Sequence, residues 1–493
     1  MDAYDVVIVG AGLAGLSAAF HAVKDHPDLE VAVVSKVYPL RSHTVESSGA
    51  INVAFSHIVK EDTWEKHAFD TVKGSDYLAD QDAVEILCSE APRVVLELIN
   101  LGALFLRKED GGLWSDVGPL GGASAARAYT PVVNTGRLLM RPLYERLLDF
   151  RNVTFLNEHR LLKLVVVDSK VVGLVLMDQK SGQIYGVKCK ACVIATGGFG
   201  RLYKHTTNAR INSGDGLAIA YKAGIPIEDP EFVQFHPTSL YGTDILVTEV
   251  ARGMGAYLYN KEGERFMKKY APNSMERAPR DIVARAIFTE IREGRGFEYN
   301  AETQSGYVLL DLRHLGEKVI NRLEQVREYA INYIGKDPVH EPLPVIPAAH
   351  FTMGGIEADA NGTTKIGGVF AAGECACVSV HGANRLGGNA LLECLVFGKR
   401  AGLEAAKYAT THAHSEITTL IATSVSEEDR SIENILCKKE GISLHVIEEK
   451  LRSIMWVHVG LFRSRDSLEK GLAVIQELKK RYRDVYIGDT SRV

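Results

Sequence analysis

A short apolar run, VVIV at residues 6–9, is followed at once by Gly10-x-Gly12-x-x-Gly15 and then by the amphipathic stretch LSAAFHAVKDH. Such a run is typical of a parallel strand buried on both faces. Gly10 permits a tight turn, Gly12 lets the backbone approach a pyrophosphate, and Gly15 allows close packing of helix against strand. The N-terminus of that helix would face the phosphates. We therefore predict a dinucleotide site in a βαβ unit whose second strand is EVAVVSK, residues 30–36.

Later strands predict that this domain is discontinuous along the chain. Buried strands that end in glycine turns are predicted at 190–200 and 367–374, and strands around a tight turn at Asp168 are predicted within 153–177. Other material must therefore be inserted between residues 6 and 374. Helices are predicted from apolar spacing at 280–293, 315–334, 444–463 and 467–485.

Composition limits the partners and the compartment. The 493 residues carry a net charge of −5, so no basic field indicates nucleic acid. The seven cysteines are too few and too scattered for a disulfide scaffold, and we expect reduced thiols. The CxxC of Cys189 and Cys192 has no second ligand pair, so no metal site is predicted. No signal peptide pattern and no run of 18 apolar residues are seen, so we expect a cytoplasmic chain that does not span a membrane by itself.

The end of the second strand departs from the usual dinucleotide pattern. Ser35 and Lys36 stand where an acid commonly binds the ribose. Ser35 could still hydrogen-bond a ribose hydroxyl, and Glu374 is a candidate acid for the ribityl or ribose hydroxyls.

Several arginines and histidines lie within glycine-rich or turn-like segments. Glu249 and Arg252 are three residues apart, so on a helical turn they would share a face and could pair. Such a pair is usually structural and becomes catalytic only if another ionisable group continues the chain; Arg280 is the candidate. His350 and Arg385 lie in two further clusters. Arg binds a carboxylate through two hydrogen bonds, and His donates a single hydrogen bond. Together they suggest a binding site for a dicarboxylate.

These segments resemble the flavoprotein subunit of the succinate dehydrogenase and quinol–fumarate reductase family over nearly the whole chain. The matching motifs are VGAGLAGLSAA, SKVYPLRSHTV, ATGGFGRLYKHTTNARINSGDG, EFVQFHPT, VTEVARG, GERFM, PRDIVAR, HFTMGGIEAD and HGANRLGGNALLE. YVLLDLRHLGEK, GKDPVHEPLPV and RDVYIGDTSRV are closer to the fumarate reductase branch. Two departures stand out: ESSGAIN replaces the more usual A-x-GG-I run, and family members normally continue for several tens of residues past DTSRV.

The resemblance implies an α/β fold, with a Rossmann-like FAD-binding domain, an inserted α+β capping domain and a C-terminal helical domain. The expected ranges are 1–232 and 345–414 for the FAD-binding domain, 233–344 for the capping domain and 415–493 for the helical domain.

It also implies the chemistry. His43 would be bonded covalently to the flavin 8α carbon, which raises the flavin potential. Arg280 would donate a proton to the substrate, and Glu249 and Arg252 would resupply it. Arginine is an unusual acid because its pKa exceeds about 12. Its donation of a proton therefore requires that Glu249 supply a replacement proton. The residues expected to bind the substrate carboxylates are His236, Thr248, His350 and Arg385. The residues expected to contact FAD are Gly10, Gly12, Gly15, Ser35, Lys36, His43, Thr44, Gly49, Thr196, Gly197, Asp215, Glu374, Asn389 and Leu391.

The expected activity is interconversion of succinate and fumarate. Electrons would pass through an iron–sulfur subunit and membrane anchor subunits to a quinone, with this chain peripheral on the inner face of the cell membrane. Two alternatives remain. A soluble L-aspartate oxidase would release its flavin on acid precipitation, and a non-catalytic flavoprotein module would not need the intact basic residues.

Overall fold

The computed structural model describes residues 1–115, 118–130 and 134–489, so the end of the RDVYIGDTSRV segment, residues 490–493, lies outside the described part. The fold is α/β, as predicted. Its first elements are β1 (Ala3–Val9), α1 (Leu13–Lys24), β2 (Val31–Ser35), β3 (Ile51–Asn52), α2 (Trp64–Gly74), α3 (Gln81–Asn100), β4 (Ala128–Tyr129), α4 (Thr135–Leu147), β5 (Val153–Asn157), β6 (His159–Val167), β7 (Lys170–Asp178), β8 (Ile184–Ile194), α5 (Asp215–Lys222) and β9 (Ile227–Glu228).

The middle of the chain forms a second group of elements. They are β10 (Val233–Leu240), α6 (Glu249–Gly253), β11 (Tyr257–Tyr259), α7 (Met267–Tyr270), α8 (Arg280–Glu290), β12 (Phe297–Asn300), β13 (Ser305–Asp311), α9 (Glu317–Ile320), α10 (Glu324–Ile334) and β14 (Leu343–Thr352).

The last group returns to the first sheet and then becomes mainly helical. Its members are β15 (Gly355–Glu357), β16 (Val369–Ala371), β17 (Ala376–Cys377), α11 (Asn389–Thr411), α12 (Thr418–Leu436), β18 (Ile442–Ser443), α13 (Leu444–Val459), α14 (Arg465–Arg481) and β19 (Val485–Tyr486).

The largest sheet has the strand order β5-β2-β1-β8-β7-β6, with β16 also paired to β8. β1 runs parallel to β2 and β8, whereas β6, β7 and β8 are antiparallel neighbours. Val6 and Ile8 belong to the apolar core on one face of β1, and Val7 belongs to the core on the other. The predicted strand buried on both faces is therefore confirmed. The parallel pairing of β16 with β8 brings Val369 beside Cys192, so distant segments share one sheet.

α1 and α11 pack closely on one face of this sheet. A Cβ atom at Gly402 would lie 2.2 Å from the carbonyl oxygen of Ala18, and one at Gly398 would lie 2.6 Å from that of Ala14. The absence of side chains at these two glycines lets the helices approach. The contact holds the N-terminus of α11 near the glycine loop before α1.

A second sheet, in the order β10-β14-β13-β11 with β12 beside β13, has its own apolar core. This core includes Ile287 of α8, Val308 of β13 and Trp456 of α13. β14 continues from residue 343 to 352, so the predicted boundary at 344 falls within a strand. The four domain ranges stay predictions.

The helices differ in their ends from the sequence-based ranges. α8 ends at Glu290 and continues as one π-helical turn to Arg295, in which Gly294 has φ +79°. The range 315–334 divides into α9 and α10 because Leu323 leaves the helical region, with φ −104° and ψ 40°. Within the described ranges, no helix has the length and apolar character needed to cross a membrane.

Candidate active site

The glycine loop after β1 packs against the end of β8. Gly10 has φ +114°, and a Cβ atom there would lie 2.1 Å from the carbonyl oxygen of Ala195. A Cβ atom at Gly15 would lie 1.8 Å from the carbonyl oxygen of Gly10. The backbone N–H of Leu13 donates to Oγ1 of Thr44 at 3.3 Å. Glycine is therefore required at both positions, and the bare loop forms a cradle at the N-terminus of α1.

A cavity of about 610 Å³ extends from this loop to the basic residues of the second sheet. Its volume is in the range of small-molecule and cofactor sites. At the glycine-loop end it is lined by the predicted residues Gly10, Gly12, Ser35, Lys36, His43, Thr44, Gly49, Thr196, Gly197, Asp215, Glu374 and Leu391. At the other end it is lined by the predicted residues His236, Thr248, Glu249, Arg280, His350 and Arg385. Gly10 and Leu391, which are 381 positions apart in the chain, thus line the same cavity.

Three predicted residues do not line this cavity. Gly15 packs beneath the loop, as described above. Arg252 is buried and donates from Nη1 to the carbonyl oxygen of Glu276 at 2.8 Å. Asn389 is buried in a network in which its Oδ1 lies 2.9 Å from Nε2 of His67. These three residues therefore lie outside the layer of residues that lines the cavity.

Lys36 and Asp215 form an ion pair at the glycine-loop end. Nζ of Lys36 lies 2.9 Å from Oδ2 of Asp215, and Nη2 of Arg160 lies 2.8 Å from the same oxygen. Burial raises the pKa of Asp215, but Arg160 and Lys36 outweigh it and lower the pKa below its usual value. An acid thus lies beside the end of β2, in the first turn of α5, where the helix dipole also favours a negative charge.

Two polar groups in the middle of the cavity fit a bound cofactor. Oγ1 of Thr196 is buried and has no hydrogen-bond partner among the residues that the structure describes. Burial raises the pKa of Glu374 to about 7, although its carboxylate accepts the N–H of Thr352 at 3.0 Å. A buried polar atom without a partner is costly, so Oγ1 of Thr196 suits a ligand that carries hydroxyls or ring heteroatoms. The Glu374 carboxyl suits the same ligand because a group with a pKa near 7 can both donate and accept.

His43 begins a 3₁₀ turn, His43–Glu46, and lies half-buried at the cavity wall. The backbone N–H of Ala209 donates to its Nδ1 at 3.3 Å. Burial lowers the pKa of His43 to about 4, so the imidazole is neutral at pH 7. Because Nδ1 accepts this hydrogen bond, Nε2 is the nitrogen left for other chemistry.

Arg280 and Glu249 form a nearly buried pair at the other end of the cavity. Nε of Arg280 donates to Oε2 of Glu249 at 2.6 Å, and the N–H of Gly121 donates to Oε1 at 2.8 Å. Glu249 begins α6, whose N-cap is Thr248. Burial raises the pKa of Glu249, but Arg280 and Arg252 outweigh it and lower the pKa overall. The carboxylate therefore stays ionised.

The rings of His236 and His350 are neighbours at this end, with centroids 5.1 Å apart and planes tilted by 57°. Burial, assisted by Arg280, lowers the pKa of both histidines well below the usual value. Nδ1 of His236 lies 3.2 Å from both the backbone nitrogen and the carbonyl oxygen of Thr238. Nδ1 of His350 lies 2.8 Å from Oγ1 of Thr207.

Arg385 completes the basic end of the cavity. It is 4% exposed, and its guanidinium carbon lies 4.6 Å from the ring centroid of Phe351. Burial, with the neighbouring Arg280, lowers its pKa to about 9, and burial lowers that of Arg252 to about 10. Nε of Arg385 has no hydrogen-bond partner within the described ranges. Arg252 and Arg280 both act on the carboxylate of Glu249, and the unpartnered Nε of Arg385 adds a donor that suits an anionic ligand.

The sequence reasoning missed Gln234 as a site residue. Its Oε1 accepts from Nη1 of Arg280 at 3.1 Å and from Nη2 of Arg385 at 3.0 Å. The available signal was its place two residues before His236, since alternate residues of a strand tend to share a face.

Cys394 lines the cavity, whereas the CxxC pair lies outside its lining. Cys189 and Cys192 are buried in β8, and burial raises the pKa of both thiols. In the described part of the chain, no three His, Cys, Asp or Glu side chains are grouped to hold a metal ion.

Comparisons with known proteins agree with this geometry. The FAD binding domain family matches residues 5–391, and the family described as fumarate reductase flavoprotein C-term matches residues 448–493. The succinate dehydrogenase flavoprotein subunit of Rickettsia conorii is 38% identical over 519 residues, which cover 99% of this chain and 83% of that protein. The fumarate reductase flavoprotein subunit of Escherichia coli is 39% identical over 502 residues, which cover 99% of this chain and 82% of that protein.

A solved quinol–fumarate reductase with menaquinol molecules superposes with a TM-score of 0.94 at 39% identity, covering 100% of this chain and 86% of that one. The predicted fold and the predicted cofactor, FAD, are confirmed by these matches. The chain belongs to the family of succinate dehydrogenase and fumarate reductase flavoprotein subunits, which are FAD-dependent oxidoreductases.

Proposed function

We propose that this chain interconverts succinate and fumarate and exchanges electrons with a partner subunit. The observation that carries this proposal is the single cavity that joins the glycine loop and His43 to Arg280, Glu249 and Arg385. A hydride carrier and a four-carbon dicarboxylate can therefore meet in one enclosed space. The names of the relatives, which include both directions of this reaction, support it.

FAD, when bound, supplies hydride exchange at its N5 atom. The bare glycine loop and the N-terminus of α1 would hold the pyrophosphate. Lys36 and Asp215 would meet hydroxyls of the adenosine half, and Glu374 with Thr196 would meet the ribityl chain. This assignment is supported by the unpartnered Oγ1 of Thr196 and by the Glu374 carboxyl, whose pKa of about 7 lets it both donate and accept near pH 7.

His43 would carry the covalent link to the flavin. The link needs a neutral imidazole nitrogen that is free of other bonds. Nδ1 accepts the N–H of Ala209, so in the neutral ring Nε2 carries the proton and would lose it on bonding the 8α carbon.

The basic end of the cavity would bind the two carboxylates. Arg385 offers a guanidinium with an unpartnered Nε, and neutral His236 and His350 donate at single points. Thr248 would add its hydroxyl. These fixed donors stabilise the negative charge that develops beside one carboxylate when the other alkene carbon takes up hydride.

Arg280 would deliver the proton to that carbon. Its Nε lies 2.6 Å from the ionised carboxylate of Glu249, which would pass a proton on to Arg280 only after taking one up from Arg252. Arg252, with its pKa lowered to about 10 by burial, would resupply Glu249. In the direction of succinate oxidation the same groups would carry the proton away from the substrate.

The electrons would pass to an iron–sulfur subunit and then to a quinone through membrane anchor subunits. The similarity to a solved quinol–fumarate reductase with menaquinol molecules supports this partnership. We propose that the chain is held at the inner face of the cell membrane by those partners.

The test uses the flavin-loaded protein. Fumarate reduction by reduced viologen and succinate oxidation by an artificial acceptor should both be measurable, and the flavin should remain with the acid-precipitated protein. Turnover of L-aspartate with release of flavin would instead identify the soluble oxidase. Absence of turnover with all three substrates would refute an enzymatic role.

A further inference from the structure

The side-chain amide of Gln234 lies between two arginines of the site and is 3% exposed. Its Oε1 accepts from Nη1 of Arg280 and Nη2 of Arg385, at 3.1 and 3.0 Å. Its Nε2 donates to Oδ1 of Asn384 at 2.8 Å and to the carbonyl oxygen of Arg385 at 2.7 Å. All four hydrogen-bonding positions of the amide are therefore used.

The orientation of this amide follows from its partners. The carbonyl oxygen of Arg385 can only accept, so Nε2 must face it. Guanidinium groups can only donate, so Oε1 must face both arginines. Nδ2 of Asn384 in turn donates to the carbonyl oxygen of Gly74 at 2.8 Å, which ties the arrangement to the end of α2.

A shared oxygen has two consequences for the arginines. Two like-charged guanidinium groups repel, and a common acceptor holds them at a set separation. The acceptor is also neutral, so it leaves the positive charge of the pair available to a dianion. Glutamate at this position would bind both arginines more strongly but would cancel part of that charge.

We propose that Gln234 is a positioning residue that sets the spacing of Arg280 and Arg385 while leaving their charge for the substrate. This inference rests on the proposed function, in which one arginine transfers the proton and the other binds a carboxylate. Gln234 would act through these two side chains and not on the substrate itself. It assigns a role to a residue that is otherwise only a satisfied polar group in the core.

The proposal predicts opposite kinetic signatures for two substitutions of nearly the same size. Gln234→Glu keeps the acceptor but adds a charge, so the KM for fumarate should rise at least tenfold. Gln234→Leu removes the acceptor but adds no charge, so kcat should fall at least tenfold because Arg280 loses its fixed place. A role in packing alone would lower stability in both variants and would not separate kcat from KM.

The experiment compares the flavin-loaded wild type, both variants and Gln476→Glu, which adds the same charge at an exposed position of α14. Steady-state fumarate reduction gives kcat and KM. The Kd of malonate, a dicarboxylate that does not react, is followed through the flavin absorbance, and flavin content and thermal midpoint report folding.

The expected result is a malonate Kd at least tenfold weaker in Gln234→Glu, a much smaller change in Gln234→Leu, and none in Gln476→Glu. Values of kcat, KM and Kd within twofold of wild type in both variants would overturn the proposal. So would parallel losses accompanied by lower flavin content and thermal midpoint. If the wild type turns over neither succinate nor fumarate, the proposed function fails. The malonate Kd still tests whether the charge added in Gln234→Glu weakens dicarboxylate binding at Arg280 and Arg385.

Discussion

Nε of Arg280 and Oε2 of Glu249 lie 2.6 Å apart, although 31 residues separate them in the chain. Both side chains are mostly removed from solvent, with 11% and 7% exposed. A close pair in such a place keeps the carboxylate ionised and keeps the guanidinium aimed along one direction. This geometry is consistent with the proposed proton route between the cavity and the protein interior.

Replacing Arg280 should remove turnover without removing the cofactor. A positioned acid commonly contributes about 10² to 10⁴ in rate, so Arg280→Gln and Arg280→Lys should lose at least two orders of magnitude in kcat for fumarate reduction. Flavin content, read from absorbance, should match that of the wild type. Turnover retained at wild-type rate would reject the proton-transfer role.

Replacing His43 should abolish covalent attachment of the flavin. In His43→Ser no imidazole Nε2 is present, so acid precipitation should release the flavin to the supernatant. The denatured wild-type protein should stay fluorescent on a gel under ultraviolet light, and so should His445→Ser, in which an exposed histidine is changed. A fluorescent His43→Ser band would place the link elsewhere.

Stability should depend on pH through His67, which is fully buried beside Asn389. Burial lowers its pKa to about 4 in the folded protein, against 6.5 for an ordinary histidine. The unfolded chain therefore binds more protons between these values, and stability falls as the pH drops through 6.5 toward 4.

From pH 7 to pH 5 this difference costs about 2 kcal/mol. In His67→Gln, the loss of stability between these pH values should be smaller by that amount, as measured by urea unfolding at each pH. Exposed His445→Gln serves as the control and should follow the wild type. An unchanged pH dependence in His67→Gln would contradict the assignment.

Arg127 should be one of the largest single contributors to stability in the region of α2. It is 1% exposed and pairs with Asp62 at 2.7 Å and with Asp70. Removing one partner of a buried ion pair leaves an uncompensated charge, so Arg127→Leu should lower the free energy of unfolding by about 3 to 5 kcal/mol.

The matched control is Arg141→Leu. Arg141 pairs with Glu145 on the exposed side of α4, with more than half of each side chain in solvent. Such pairs contribute less than about 1 kcal/mol. Urea unfolding should separate the two variants clearly, and equal effects would mean that the Arg127 network is not stabilising.

Parts of the fold were predictable because they depend on neighbours in the chain. The apolar strand at 6–9, the glycine loop and the turn at Asp168 and Ser169, with φ of +47° and +58°, follow from local steric rules. The ends of α8 and the division of 315–334 into two helices were not predictable. They depend on the backbone at Gly294 and Leu323, which packing of the second sheet decides.

In the candidate site, the types of the functional residues were predictable from the sequence, but their surroundings were not. His236, Glu249, Arg280, His350 and Arg385 were selected from their motifs, and the structure brings them to one cavity. The bridging place of Gln234 depends on two residues that lie 46 and 151 positions away.

Interactions within a few residues are enough to specify a buried strand, a glycine loop in which a Cβ atom cannot fit, and a helix that begins at the loop. Tertiary contacts are needed to bring distant charges into one cavity and to set their protonation states. Pairing of strands such as β16 and β8 brings remote segments together, and burial then changes the pKa of Glu374, His350 and Arg385. Neither the strand pairing nor the pKa shifts can be read from local residue spacing. The pairing joins segments that are remote in the chain, and the shifts arise because the folded chain excludes water from these groups.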